Sequence, residues 1–412
     1  MVIIHTMNGF HTRAIDQSLR SRLDVMPAVV VTGARQTGKS TLAHALNTRR
    51  YHTMDDLDAL DMAEKDPDRL LAGDSPITID EVQRVPKLLH AIKRHIDQNR
   101  RPGQFLLTGS ANLLLMRQVA ESLAGRASYL TLWPMTRREQ LGIASCGLWD
   151  LIIESEDAAW LDLLQREAAI RNLKEWRAFA KTGGFPVPAL HMHDQTERDI
   201  WFEGYVRTYL ERDLLSLSTV ASLPDFRRLM RAVCLGVGGL VNQTNLGRGL
   251  GLPQATVNRY LNLLETSYML VRIPAYSDNR GKRLTKTPKM YWSDTGLALH
   301  LSGTEPDGAT LENLVLMDLL AWRDSSEARC EIYHWRSHSG LEVDFVIESG
   351  NGRLLPIEIK STERPRLRDS VNLRAFRDQY GEQARFGLLL HDGDSVLWLT
   401  PDVLAAPWWR VL

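Results

Sequence analysis

Residues Gly33-Ala34-Arg35-Gln36-Thr37-Gly38-Lys39-Ser40, followed by Thr41, fit the pattern G-x-x-x-x-G-K-[ST]. Glycines let a backbone curl so that successive N–H groups face an anion. A lysine at the seventh position supplies a mobile cation to β- and γ-phosphates, and the next hydroxyl is a ligand for Mg²⁺. Such a loop leaves a strand and enters a helix. Here VVVT precedes it and STLAHAL follows. The pattern predicts ATP and Mg²⁺ bound over Gly33–Thr41, with Ser40 on the metal.

Further along, Ile77-Thr78-Ile79-Asp80-Glu81 is an apolar strand ending in two carboxylates. After a phosphate loop it reads as the strand that brings Asp80 to the metal and Glu81 to the attacking water. The adjacent glutamate predicts hydrolysis rather than nucleotide storage. The next strand ends Leu107-Thr108-Gly109-Ser110. A polar side chain there, Ser110 or Thr108, could sense the γ-phosphate, or simply cap the strand. Arg126 precedes the last strand of this region. It is placed either to reach a neighbouring subunit's nucleotide or to lie idle on the surface.

The C-terminal third holds a second set: Glu342-Val-Asp344-Phe, then Ile-Glu358-Ile-Lys360. On a strand, positions two apart share a face, so Glu358 and Lys360 point the same way. Two carboxylates and a lysine on paired strands can hold Mg²⁺ and activate water for attack on a phosphodiester. Glu312, early in a helix, could add a third carboxylate. Metal ligands are therefore expected at Asp344, Glu358 and Glu312, and chemistry at Asp344, Glu358 and Lys360. E-x-K alone is common, and an ion pair across a solvated sheet face has the same spacing.

Between these sets, residues 242–265 read as two short helices joined at Gly251-Leu252-Pro253. In the second, Val257, Tyr260, Leu261 and Leu264 form one apolar stripe, while Gln254, Asn258, Arg259 and Asn262 face away. Those polar types hydrogen-bond bases or phosphates. The segment Asn279–Lys289 carries Arg280, Lys282, Arg283, Lys286 and Lys289 with no acidic residue, as a wing beside a recognition helix would. A helical hairpin serving as a lid or an oligomer contact fits the same residues.

The elements that must position these groups follow from periodicity. Strands are predicted at Ala28–Thr32, Tyr51–Met54, Ile77–Asp80, Gln104–Thr108 and Ser128–Trp133, alternating with helical patterns such as Lys87–Asp97. This alternation predicts a parallel α/β sheet over 1–140. Helical patterns, notably Thr196–Leu217, fill 141–235. A small unit spans 236–295. A mixed α/β pattern returns over 296–412: helix 311–322, strands near 331–335, 342–348 and 354–360, helix 368–379, and strand 386–390. The 412 residues contain 50 basic and 50 acidic side chains. That balance excludes a uniformly basic nucleic-acid coat but not a local basic patch. Three scattered cysteines exclude a disulfide framework or cysteine-rich zinc site, and the histidines show no ligand spacing. No apolar run is long enough for a membrane span, and the N-terminal residues are too polar for a signal peptide, so a cytoplasmic location is expected.

The segments TGARQTGKSTL, ITIDEVQRVP, FLLTGSANLLL, LAGRASYLTLWPMTRRE, GGFP, YVRTYLERDL, KMYWSDTGLA, EVDFVI and PIEIKS resemble prokaryotic ATP-binding proteins. Those join an AAA+-type ATPase domain to a C-terminal domain of unknown function with a restriction-endonuclease-like, PD-(D/E)xK core. The resemblance implies a P-loop NTPase of the AAA+/ASCE type with sheet order 5-1-4-3-2. It also implies ATP hydrolysis in a homo-oligomer, a winged-helix module and a nuclease-like α/β domain. With the polar helix face and the basic segment beside it, the chain reads as an ATP- and Mg²⁺-dependent ATPase acting on DNA. Lys39, Ser40, Asp80 and Glu81 carry over directly, Arg126 as the arginine finger, and Asp344, Glu358 and Lys360 as the nuclease-like triplet. A nucleotide-switched DNA- or protein-binding regulator whose nuclease fold is inactive is the alternative.

Overall fold

The structure, a computed structural model, describes residues 11–109, 122–155, 159–166, 175–208 and 222–412. Ser110 lies outside these residues, as does the expected helix 196–217 beyond residue 208. The chain divides into two compact units, Met1–Ser145 and Cys146–Leu412. The three modules expected beyond residue 140 fall almost wholly in the second.

The first unit is built on five strands: β1 (Ala28–Thr32), β2 (Arg50–Thr53), β3 (Ile77–Asp80), β4 (Phe105–Thr108) and β5 (Ala127–Thr131). All neighbours pair in parallel, in the order β2-β3-β4-β1-β5. Read from the other edge this is the order the resemblance implied. β4 therefore stands between the strand that feeds the phosphate loop and the strand that ends in Asp80.

The alternation along β1 explains the layering. Val29 and Val31 pack with Leu19, Leu42 and Leu106 on one face. Ala28 and Val30 pack with Ile79, Leu107 and the helix Pro86–Gln98 on the other. A strand covered on both faces reads as a continuous apolar run, and AVVVT is buried throughout. The helix Pro86–Gln98 turns Leu88, Leu89, Ile92 and Ile96 inward. Truncating any one of these to alanine would cost roughly 2–5 kcal/mol.

The second unit contains a six-stranded sheet of β8 (Cys330–Arg336), β9 (Glu342–Ser349), β10 (Leu354–Lys360), β11 (Gly387–His391), β12 (Leu397–Thr400) and β13 (Val403–Pro407). Its order is β12-β13-β11-β10-β9-β8. β8, β9 and β10 form an antiparallel meander, and β11 joins β10 in parallel after the helix Val371–Tyr380. That helix buries Leu373 and Phe376 against Val343, Val346 and Leu389. The helix Gly308–Ser325 precedes the meander and is capped by Asp307, which accepts from Thr310 N at 3.0 Å. β12 and β13 are not expected from the sequence. Ala405, Ala406 and Pro407 are poor strand formers, so tertiary packing rather than propensity makes β13.

Ahead of this sheet lie three helices, Leu223–Leu235, Gln243–Leu250 and Gln254–Thr266, and the antiparallel hairpin of β6 (Leu270–Ile273) and β7 (Lys289–Trp292). An antiparallel bridge from Leu240 to Lys289 adds a one-residue third strand beside β7. The basic segment before β7 does not extend the hairpin. Arg280–Thr285 forms a short helix capped by Asn279.

Candidate functional site

The loop after β1 adopts the curled backbone its glycines permit. Gly33, Gln36 and Gly38 all have positive φ, at +139°, +63° and +97°. At Gly33 a Cβ would sit 2.3 Å from the Leu132 carbonyl oxygen, so only glycine fits. Arg35, Gln36 and Thr41 are exposed, Ser40 is half-buried, and Ala34 and Thr37 are buried. Thr37 Oγ1 donates to the Ala34 carbonyl at 3.0 Å, tying the loop to itself.

Lys39 lies folded into this loop, 5% exposed. Its Nζ donates to the carbonyls of Gly33 (3.2 Å) and Ala34 (2.6 Å). Burial lowers its pKa to about 8, against the partial counter-pull of Glu81 and Asp80. The ammonium thus feels both carboxylates at the end of β3.

Asp80 is held on both oxygens. The Tyr51 hydroxyl donates to Oδ2 at 2.8 Å and the Thr108 hydroxyl donates to Oδ1. Burial, then the Asp80 charge, pushes the Tyr51 phenol far above its ordinary value, so it remains a donor. Its ring stacks on His44, in the helix that follows the loop, with centroids 3.7 Å apart. Each carboxylate oxygen keeps a free lone-pair direction. Two hard oxygen donors, Asp80 and the Ser40 hydroxyl, suit Mg²⁺. Thr108, one of two expected phosphate sensors, spends its hydroxyl on Asp80 instead. Glu81 sits in the left-handed region at φ +56° and accepts a hydrogen bond from Gln83. A non-glycine residue there stores roughly 1–3 kcal/mol, a pattern concentrated at functional sites.

Sequence reasoning missed Arg13. Its guanidinium donates to the carbonyls of Thr37 and Trp133, both at 2.8 Å, and pairs with Glu139 at 2.9 Å. Glu139 in turn accepts from the backbone N–H groups of Ala14 and Thr136. No local pattern marks Arg13, because its partners are 24 and 120 residues away. Tyr51 was missed for the same reason.

Arg126 does not join the nucleotide site of its own chain. Ala127 pairs in register with Ala28, at the end of β1 opposite the loop. Arg126 forms a two-pronged ion pair with Asp97, at 2.5 and 2.9 Å.

In the second unit, Asp344 on β9 and Glu358 and Lys360 on β10 come together as the hairpin spacing predicts. Asp344 Oδ2 accepts from Ile359 N at 2.8 Å. Lys360 Nζ donates to Glu358 Oε1 at 2.7 Å, which also accepts from Asn372 at 3.2 Å. Glu358 is 2% exposed, and its Oε2 is buried without a hydrogen-bond partner. Burial first, and Asp344 second, push the Glu358 carboxyl up to about 8 despite Lys360. Glu312 is raised to about 7 by burial and Asp344, offset by Lys289.

Two expectations are corrected here. The sequence groups Glu312, Asp344 and Glu358 as metal ligands. Among the described residues, no three His, Cys, Asp or Glu side chains group so as to hold a metal ion. The centre beside Glu312 and Asp344 is instead taken by Lys289, whose Nζ lies 2.9 Å from Glu312, 2.7 Å from Glu342 and 3.3 Å from Asp344. Lys289 is therefore not part of a solvated basic wing. Arg283 leaves the wing too. Its guanidinium pairs with Glu348 at 2.6 Å and packs on the rings of Tyr276 and Tyr333. Arg280 and Lys282 remain exposed, as do Gln254, Asn258, Arg259 and Asn262 on the helix Gln254–Thr266.

The loop, Asp80 and the sheet define an AAA-type ATP-binding protein. Residues 26–141 match the family described as an AAA domain. Residues 173–308 and 307–411 match two domains of unknown function, DUF8612 and DUF4143. Proteins of Mycobacterium tuberculosis and Mycobacterium bovis, each called an uncharacterized protein, are 30% identical over 403 residues, covering 94% of this chain and 82% of theirs. A Methanocaldococcus jannaschii protein is 20% identical over 428 residues, with 97% and 91% covered. The chain belongs to the family of the two mycobacterial proteins. A solved structure of a signal-transduction ATPase with a tetratricopeptide repeat sensor, from Pyrococcus horikoshii, overlaps 78% of this chain and 47% of its own at 11% identity. Its TM-score of 0.25 is too low to bear on the fold. No helix among the described residues is long and apolar enough to cross a membrane.

Proposed function

We propose that the protein hydrolyses ATP with Mg²⁺ and couples nucleotide state to an action on DNA. The observation that carries the ATPase reading is Asp80, fixed by Tyr51 and Thr108, together with a curled loop whose buried Lys39 is folded onto the carbonyls of Gly33 and Ala34. Ser40 and Asp80 are the residues that would hold Mg²⁺, which when bound neutralises charge on the β- and γ-phosphates. Lys39 would leave two neutral carbonyls for the phosphates. Glu81 would orient the attacking water. Arg126, released from Asp97, would reach a neighbouring subunit's nucleotide in a homo-oligomer. Mg²⁺-dependent release of phosphate from ATP by the wild type, absent from Asp80→Asn, tests this reading. Equal turnover by both would overturn it.

The DNA reading rests on chain connectivity. A helix, a one-residue strand, two helices and a hairpin follow in the order of a winged helix. The second helix of the pair presents Gln254, Asn258, Arg259 and Asn262 outward. In the C-terminal domain, a helix, a three-strand meander, a helix and a parallel strand carry Asp344, Glu358 and Lys360 in the manner of a nuclease fold. An ATP-regulated nuclease is the first reading. A regulator that binds without cutting is the second, favoured by Lys289 standing between Glu312 and Asp344. Mg²⁺- or Mn²⁺-dependent DNA cleavage, lost in Glu358→Ala, would establish the first. No cleavage alongside normal ATP turnover would select the second.

A further inference from the structure

We propose that Lys289 is the resident cation of the C-terminal carboxylate cluster and takes the place of a divalent metal between Glu312 and Asp344. The inference rests on the nuclease-like reading of this cluster and says what occupies it.

Lys289 is 2% exposed, and its ammonium lies within 3.3 Å of three carboxylates. A buried ammonium is costly unless paired, and three buried or half-buried carboxylates are costly unless neutralised. Each side therefore accounts for the other. Tyr291, two residues on and so on the same face of β7, donates its hydroxyl to the Glu312 oxygen that Lys289 contacts. A Mg²⁺ ion would need Glu312 and Asp344 oxygens at about 2.0–2.1 Å. It cannot share the space between those oxygens with an ammonium that already contacts both. The opposite side of the cluster is less fully compensated. Glu358 keeps a buried oxygen with no hydrogen-bond partner and only one ammonium, that of Lys360, beside it.

Lys289 does not come from the sheet it neutralises. It opens β7, the strand that also bridges to Leu240. The hairpin next to the exposed polar helix thus supplies the cation for the carboxylates of β9 and the helix Gly308–Ser325. A metal could enter only where that hairpin withdrew its lysine.

The test counts Mn²⁺ bound to the full chain without nucleotide, by electron paramagnetic resonance, so that DNA cleavage plays no part in the readout. The wild type and Asp344→Asn are expected to bind equal numbers of Mn²⁺. Lys289→Met is expected to gain one Mn²⁺ per chain, and Lys289→Met with Asp344→Asn to lose it again. One Mn²⁺ fewer in Asp344→Asn than in the wild type overturns the proposal. So does a folded Lys289→Met protein that gains none. Should Lys289→Met not fold, the wild-type comparison with Asp344→Asn decides alone. Cleavage bears on the nuclease reading alone: a wild type that does not cut but gives the expected Mn²⁺ counts keeps Lys289 as the resident cation and selects the regulator.

Discussion

Two buried lysines in this protein face opposite situations. Lys39 donates to two peptide carbonyls, and burial lowers its pKa to about 8 despite Glu81 and Asp80. Lys289 is as deeply buried, yet Glu312, Asp344 and Glu342 more than offset its desolvation and hold its pKa well above the ordinary lysine value. The first is a cation with a loop shaped around it and no full counter-charge. The second is already neutralised. A buried lysine alone therefore says little about function; the charge of its neighbours separates a site that awaits an anion from one that is complete.

The comparison can be broken at several points. The largest effect is expected at Arg126. Arg126→Ala should lower ATP turnover by roughly 10³–10⁵ while sparing ATP binding, the scale of an arginine finger. Steady-state hydrolysis at near the wild-type rate would leave Arg126 as no more than the partner of Asp97. Lys39→Ala comes next. Each charge-assisted hydrogen bond contributes roughly 1.5–3 kcal/mol, so affinity for a fluorescent ATP analogue should fall on the order of 10²-fold or more. Unchanged affinity would place the nucleotide elsewhere.

A third prediction uses the Lys39 proton. Bound phosphates favour the ammonium, so the nucleotide complex holds more protons than the free protein above pH 8. Affinity should be level below about pH 8 and fall by up to roughly tenfold per unit above it. Calorimetry in buffers of different ionisation enthalpy should show proton uptake on binding there. Proton release would reverse the sign and contradict the assignment.

The smallest effect separates the basic residues before β7. Arg280→Ala with Lys282→Ala should flatten the salt dependence of DNA binding, by about 0.9 in the log–log slope for each phosphate no longer neutralised. Arg283→Ala should instead lower stability, by roughly 1.5–3 kcal/mol for the charged hydrogen bond to Glu348. Thermal melts and binding isotherms of the two variants distinguish the roles.

What could be read from the chain divides along the same line. Gly33–Thr41, Asp80 and Glu81 were legible because a loop, a strand end and a helix start are local patterns. So were the strands β9 and β10 and the shared face of Glu358 and Lys360, which period-two alternation fixes; the register that sets Asp344 against them comes from the pairing of the two strands. The side chains that complete each centre were not legible. Arg13, Tyr51 and Lys289 act across 24, 29 and 23 residues or more, and no spacing rule reaches that far. Lys289 and Arg283 were misread because a run of basic residues without acids looks solvated in one dimension. Their acidic partners, Glu312, Asp344 and Glu348, come from other segments. β13 was missed because Ala405 and Ala406 owe their strand to β11 rather than to themselves.

The central claim is that Glu81 and Lys39 divide the work at one nucleotide: the lysine binds, the glutamate activates water. The direct measurement is ATP affinity and single-turnover hydrolysis of Glu81→Gln beside the wild type. The account predicts affinity within a few-fold of wild type and hydrolysis slower by roughly 10²–10⁴. Hydrolysis at the wild-type rate, or loss of binding and turnover together, would contradict it.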